Sequence, residues 1–166
     1  MHIPDGYLSP ATCGVLGAAM LPVWYKAVHH LKRHFEMDRI PKLAMAAVFS
    51  FLIMMFNVPV PHGTTAHAIG ATLAAILFGP WAAVISISVA LAIQALVFGD
   101  GGILAFGANT FNMAFLAPFV GYSAYCLLGG RSKVPGSVGQ MVAGGIGAYL
   151  GILVAALATA VELGLQ

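Results

Sequence analysis

Charge is scarce in this chain of 166 residues. Seven Lys or Arg and five Asp or Glu make up 7% of it, where a soluble domain carries roughly 25%. A surface so poor in charge cannot face water all round, which excludes an ordinary soluble domain and leaves most of the exterior to lipid. No nucleic-acid partner is expected of so sparse a set of cations. Cysteine is rarer still. Cys13 and Cys126 are the whole supply, too few for a disulfide framework. The start lacks a basic run and a clear small-residue cleavage site, so it does not read as a secretory signal peptide. There is no long linker, charge block or low-complexity tract, and residues 1–166 are expected to form a single transmembrane domain. Strand alternation is missing, which argues against a β-barrel. A Walker-type glycine loop is missing too, so hydrolysis of ATP by this chain is not expected.

What is present is apolar. Hydrophobic residues make up 60% of the sequence and the mean hydropathy is +0.94. They fall into six segments, Leu8–Val28, Leu43–Val58, Ala66–Phe78, Trp81–Phe98, Phe106–Leu128 and Pro135–Val161. Five are about long enough for the ~20 residues that a bilayer requires. The third is short and stops at the helix-breaking Gly79-Pro80. The expectation is an all-α, multi-pass membrane protein with six transmembrane helices.

The cations give the orientation. Lys26, Lys32, Arg33, Arg39 and Lys42 lie between segments one and two, and Arg131 and Lys133 between segments five and six. Both clusters fall on the cytoplasmic side if the N-terminus is outside, and the positive-inside rule is then obeyed throughout. The outer face would hold "MHIPDGYLSP", "NVPVPHGTTAH", "FGDGGILAFGAN" and the end after Glu162. His2, His62 and His67 fall there, whereas His29, His30 and His34 decorate the inner basic face.

Ionisable groups at membrane depth mark function by default. Three outer histidines are compatible with metal ligation, a proton relay or an interface, and position 2 favours metal. The Met1 amine, the His2 backbone nitrogen once deprotonated and the His2 imidazole are three nitrogen donors. Amine to amide closes a five-membered chelate ring, and amide to Nδ1 a six-membered one, so the three lie in one plane. A square-planar nitrogen set suits Ni(II) or Cu(II). The fourth corner is left for an imidazole from His67 or His62. His2 is bulky enough to protect Met1 from trimming. Pro4 stiffens the segment, and Asp5-Gly6 favours a turn that folds it back. Asp5 is a candidate to hydrogen-bond the His2 ring or to offset the charge of the ion; otherwise it is an Asx-turn residue.

"MHIPDGYLSP", "PHGTTAH" and "FGDGGILAFGANTFNMA" together resemble the substrate-binding subunit of nickel and cobalt energy-coupling-factor transporters, the CbiM/NikM type, over essentially the whole chain. The resemblance implies an S-component-like bundle with an extra N-terminal helix. It implies a prokaryotic cell (inner) membrane location and metal ligands at Met1, His2 and His67; the choice of His67 over His62 comes from it. It implies as partners a coupling transmembrane subunit, two ATP-binding cassette ATPases and a small accessory membrane subunit. The transported ligand would be Ni(II) or Co(II), with no catalytic cofactor. "MHIPDG" looks more like the nickel branch, and the alternative is a cobalt-specific homologue serving cobalamin biosynthesis. Family members are longer and are described with seven helices, so a seventh is expected beyond the six segments here.

Two other readings stay open. A membrane metalloenzyme using His62, His67 and Asp100 predicts an open coordination position and more carboxylates than the outer face offers. An organic-vitamin carrier of the same transporter class predicts a larger, aromatic-walled pocket and leaves His2 without a purpose. Of the remaining features, Asn109 is a candidate to orient the loop over the ion, with Thr110 and Asn112 read as helix caps or loop-orienting groups. Asp100 reads as a turn residue. Gly147-x-x-x-Gly151 reads as internal helix packing, with docking to the partner membrane subunit as its alternative. Met45, Met54, Met55 and Met113 read as core or lipid-facing residues rather than a thioether copper path.

Overall fold

The computed structural model describes residues 2–34, 36, 39–60, 64–129 and 136–165. Met1, His62, Arg131 and Lys133 lie outside the described residues.

The apolar segments become six continuous helical runs. They are α1 (Pro10–His34), α2 (Ile40–Met54), α3 (Ala71–Phe78), α4 (Pro80–Ile93) continuing into a π-helical turn (Gln94–Phe98), α5 (Phe106–Thr110) continuing through a π-helical turn (Phe111–Leu116) into α6 (Ala117–Leu127), and α7 (Val138–Gly164). Prolines open two of the runs: α2 and α4 each carry one in the first two positions, where the missing N–H costs nothing. Ser137 caps α7, its hydroxyl accepting from Gln140 N. Gly79, at φ 88°, separates α3 from α4 in a conformation costly for any residue with a Cβ.

Among the described residues three helices are long and apolar enough to cross a membrane: α1, α4 with its π-helical turn, and α7. The other two of the five segments expected to span take other forms. α2 has only 15 residues, because the chain leaves the helix for a hairpin. The fifth segment changes its hydrogen-bond ladder at Phe111–Leu116, although it runs unbroken from Phe106 to Leu127. The third segment is shorter than Ala66–Phe78. α3 has 8 residues, about 12 Å of helix. The preceding stretch is a two-stranded antiparallel hairpin, β1 (Val58–Val60) with β2 (Thr64–Ala66), in the register Val58↔Ala66, Pro59↔Thr65, Val60↔Thr64. Ahead of α3 stands Gly70 at φ 77°.

Small residues let the helices approach closely. A Cβ on Gly147 would lie 2.6 Å from Gly121 O, and one on Gly151 2.6 Å from Ala117 O. The Gly147-x-x-x-Gly151 pair is thus spent inside the protein, on the α6–α7 crossing. A Cβ on Gly107 of α5 would likewise meet the Gly17 backbone of α1. The main core gathers Met54, Ile69, Ile87, Leu91 and Met113 with the alanines between them. Met45 and Met55 are exposed. Trp24 Nε1 donates to Ser88 Oγ at 2.9 Å, tying α1 to α4.

This arrangement has two ends. The N-terminal segment, His67 and the loop 99–105 share one. The basic end of α1 and the Gly79-Pro80 turn share the other. Cys13 and Cys126 are both free.

Candidate metal-binding site

The residues ahead of α1 form a hook, which the loop 99–105 and α5 hold in place. Ile3 is the anchor. Its N–H donates to Asn109 Oδ1 at 2.8 Å, and its carbonyl accepts from Asn109 Nδ2 at 3.1 Å and from Gly102 N at 2.9 Å. The Ile3 side chain is fully buried among Leu8, Ala105 and Ala108, with Leu163 of α7 against them. Two residues on, Asp5 caps the loop. Its Oδ2 accepts from Ile103 N at 3.0 Å, and its Oδ1 from Leu104 N at 2.9 Å and Ala105 N at 3.3 Å. These amides lead into α5, and a carboxylate is favoured at a helix start. The hook fits because Gly101 and Gly102 have no side chains. A Cβ on Gly102 would overlap Asp5, and one on Gly101, which is at φ 92°, would come within 3.2 Å of Asn109 Nδ2.

The hook delivers His2 into the protein. Its ring lies against that of His67, with centroids 4.6 Å apart and planes inclined by 23°. Both side chains are buried, at 4% and 8% exposure. His67 Nδ1 is 3.1 Å from Ala68 O. A carbonyl only accepts, so Nδ1 carries the proton and Nε2 keeps its lone pair. That Nε2 is buried and has no hydrogen-bond partner among the described residues. Burial, and then neighbouring positive charge including that of His2, lowers the His67 pKa from 6.5 to about 4. His67 is therefore a neutral imidazole at neutral pH, the form that binds a metal.

Asp100 completes the group. Its Oδ1 is 3.3 Å from His2 Nδ1. Contact with the His2 ring holds its carboxyl below the usual carboxylate range, against the opposing effect of burial. Its backbone N–H donates to Gln94 O at 3.0 Å, closing the π-helical turn of α4. The reading of Asp100 as a mere turn residue is thereby corrected: it faces His2. The expectation that Asp5 bonds the His2 ring is corrected too, since both its oxygens are taken by loop amides. Asn109, expected to orient the loop over the ion, hydrogen-bonds the backbone of Ile3.

Thr110 and Asn112 cap no helix. Thr110 Oγ1 donates to Phe106 O at 2.7 Å. Asn112 Nδ2 donates to Glu162 Oε2 at 2.8 Å and Thr159 Oγ1 at 3.2 Å, a buried link from the α5–α6 run to α7 that sequence reasoning missed. Among the described residues no group of three or more His, Cys, Asp or Glu side chains is placed to hold a metal. The site offers two imidazoles, one carboxylate and the backbone of the hook.

Comparison with known proteins shows the family. The chain is 57% identical to the "Probable fused nickel transport protein LarMN" of Lactiplantibacillus plantarum, over 100% of its own length and 49% of that protein. It is 54% identical to the "Fused nickel transport protein NikMN" of Rhodobacter capsulatus, over 100% of its own length and 48% of that one. The chain thus spans about half the length of these curated relatives. A crystal structure of a truncated transition metal transporter superposes with a TM-score of 0.94 at 58% identity, covering 100% of this chain and 75% of that one. Residues 2–166 match the family described as the cobalt uptake substrate-specific transmembrane region, CbiM, and the chain belongs to that family of transporter components.

Proposed function

We propose that this chain is the substrate-capturing subunit of an energy-coupling-factor transporter for Ni(II) or Co(II), and that the ion is bound at the end of the bundle where the hook lies. The observation that carries the proposal is the buried pair of His2 and His67, with His67 Nε2 having no hydrogen-bond partner among the described residues. A lone pair without a donor is costly in a buried site, and an ion satisfies it. The donor set is the Met1 amine, the His2 backbone nitrogen, His2 Nδ1 and His67 Nε2. Four nitrogens in a plane favour Ni(II), with Co(II) as the alternative cargo. His2 Nδ1 must turn from Asp100 to the ion, and the carboxylate then balances part of the incoming charge. Binding releases protons from the amine and the amide.

The hook end faces outward. Lys26, Lys32, Arg33, Arg39 and Lys42 all lie around the opposite end of α1, which is cytoplasmic by the positive-inside rule. The six helical runs form one multi-pass membrane unit, α1 being the extra helix of this branch. ATP is hydrolysed by two partner ATPases coupled through a further membrane subunit. The two relatives whose names read "fused" are about twice as long as this chain, which suits an accessory membrane part that in them shares one polypeptide.

Calorimetry of the purified protein with Ni(II) and Co(II) tests the reading. His67→Ala should weaken binding by more than the 10–100-fold typical of residues that only support ligands, while His62→Ala should change it little. Unchanged affinity in His67→Ala would remove the fourth ligand and the proposal with it.

A further inference from the structure

The other end of α1 carries a cavity that metal capture does not use. Its volume is about 300 Å³, and Lys26, His29, His30, Arg33 and His34 line it from α1. Tyr25 completes the α1 wall, and Trp81 at the start of α4 faces it. The α1 residues recur on successive turns of one side of the helix, as the i, i+3, i+4 spacing requires. The rings of His30 and His34 stack with centroids 4.5 Å apart, and those of Tyr25 and His29 at 6.0 Å. His34 Nδ1 lies 3.1 Å from His30 O and so donates to it, leaving Nε2 outward.

The charge decides the ligand. No acidic side chain is among the described lining residues. The nearest acid in sequence, Glu36, pairs with Arg39 at 3.7 Å. A divalent cation would meet two permanent positive charges, Lys26 and Arg33, whereas an anion meets those two and the N–H donors of the imidazoles. The position decides its source. α1 has 25 residues, about 37 Å of helix, which sets this cavity at the membrane surface opposite the hook. Trp81 and Tyr25 are the aromatic residues that settle at that level. One turn nearer the bilayer centre, Leu21 is 63% exposed, an apolar surface for an acyl chain.

We propose that this cavity binds the phosphodiester headgroup of an anionic phospholipid, with Lys26 and Arg33 on the phosphate and the α1 histidines as further donors. The lipid thereby fixes the cytoplasmic end of α1 against α4. The proposal is independent of the metal site.

Trp81 reports on it directly. The chain has two tryptophans, so Trp24→Phe leaves Trp81 alone. This variant is placed in phosphatidylcholine vesicles carrying about 10 mol % of brominated phosphatidylglycerol, a minor anionic fraction, or the same fraction of brominated phosphatidylcholine. The anionic lipid should quench Trp81 more strongly, and each of Lys26→Gln and Arg33→Gln should lower the preference about fivefold. Helix content by circular dichroism confirms that these exposed substitutions leave the fold intact, and His30→Gln with His34→Gln offers a second, milder series expected to lower the preference in the same direction. Equal quenching by the two lipids, or a preference unchanged in the Lys26→Gln/Arg33→Gln double variant, would overturn the proposal. So would recovery of Trp81 fluorescence on adding inorganic phosphate, which would make the cavity a site for soluble anions.

Discussion

The imidazole of His67 stacks on that of His2 across 65 positions of sequence, with ring centroids 4.6 Å apart in a buried setting. His67 Nδ1 is spent on Ala68 O and its Nε2 has no hydrogen-bond partner among the described residues, while His2 Nδ1 faces the Asp100 carboxylate. A buried imidazole nitrogen without a hydrogen-bond partner, as at His67 Nε2, is costly by itself. In the proposed site the two rings form half of the coordination sphere.

Asp100 is the first residue on which that account makes a demand. Its carboxylate favours a cation near His2, and Asp100→Asn removes the charge while keeping the shape. Ni(II) affinity measured by calorimetry should fall 10–100-fold, as for other groups that support ligands without being ligands. An affinity that rises would mean that Asp100 only competes with the ion for His2.

Asn109 is the second. Its amide makes two of the three hydrogen bonds described at the Ile3 backbone, so Asn109→Ala loosens the hook next to His2. Each such bond contributes about 1 kcal/mol. The metal-free protein should lose roughly 2 kcal/mol of stability, and Ni(II) binding should weaken because the hook must then be ordered on binding. Thermal unfolding with and without Ni(II) separates the two effects.

The metal-free protein should also be sensitive to mild acid. Burial holds the His67 pKa at about 4 in the fold, against 6.5 when exposed. Between those values the unfolded chain takes up a proton that the folded one refuses, so stability falls as pH drops from about 6.5 to about 4. The loss from this residue is at most roughly 3 kcal/mol. Asp100 acts lower: its carboxyl is held below its ordinary value, so its contribution is lost only below that range. Unfolding temperatures across this window should flatten in His67→Gln.

Helix packing gives a test away from the site. Gly151→Ala puts a Cβ 2.6 Å from Ala117 O and 2.9 Å from Thr72 Oγ1, and should destabilise by about 1–3 kcal/mol. Gly145→Ala on the same helix meets nothing within 4 Å and should be neutral or stabilising by up to about 1 kcal/mol. Thermal unfolding of the two variants side by side decides this.

Much of this was legible in the sequence, for definable reasons. Hydropathy marked all six helical runs, since each is a continuous apolar stretch. His2 stood out because only a residue at that position joins its imidazole to the amine and amide in one chelate. What stayed hidden depends on contacts between distant residues. Phe98-Gly99-Asp100-Gly101-Gly102 reads locally as a turn, and only the folding of that loop over the hook aims Asp100 at His2. Asn112 and Glu162 meet across two helices. The hairpin strands are three residues each, too short to show a period. The π-helical turns at Gln94–Phe98 and Phe111–Leu116 differ from α-helix by a hydrogen-bond step that leaves no pattern in composition.

The central claim is that the N-terminal amine of Met1 is a metal ligand in one chelate with His2. Acetylation of the Met1 amine removes the donor that anchors the five-membered ring, while every side chain is kept. Calorimetric titration of the free-amine and N-terminally acetylated proteins with Ni(II), side by side, is the most direct measurement. The account predicts that the acetylated protein loses tight binding while its fold is unchanged. Equal affinity in the two forms would contradict it.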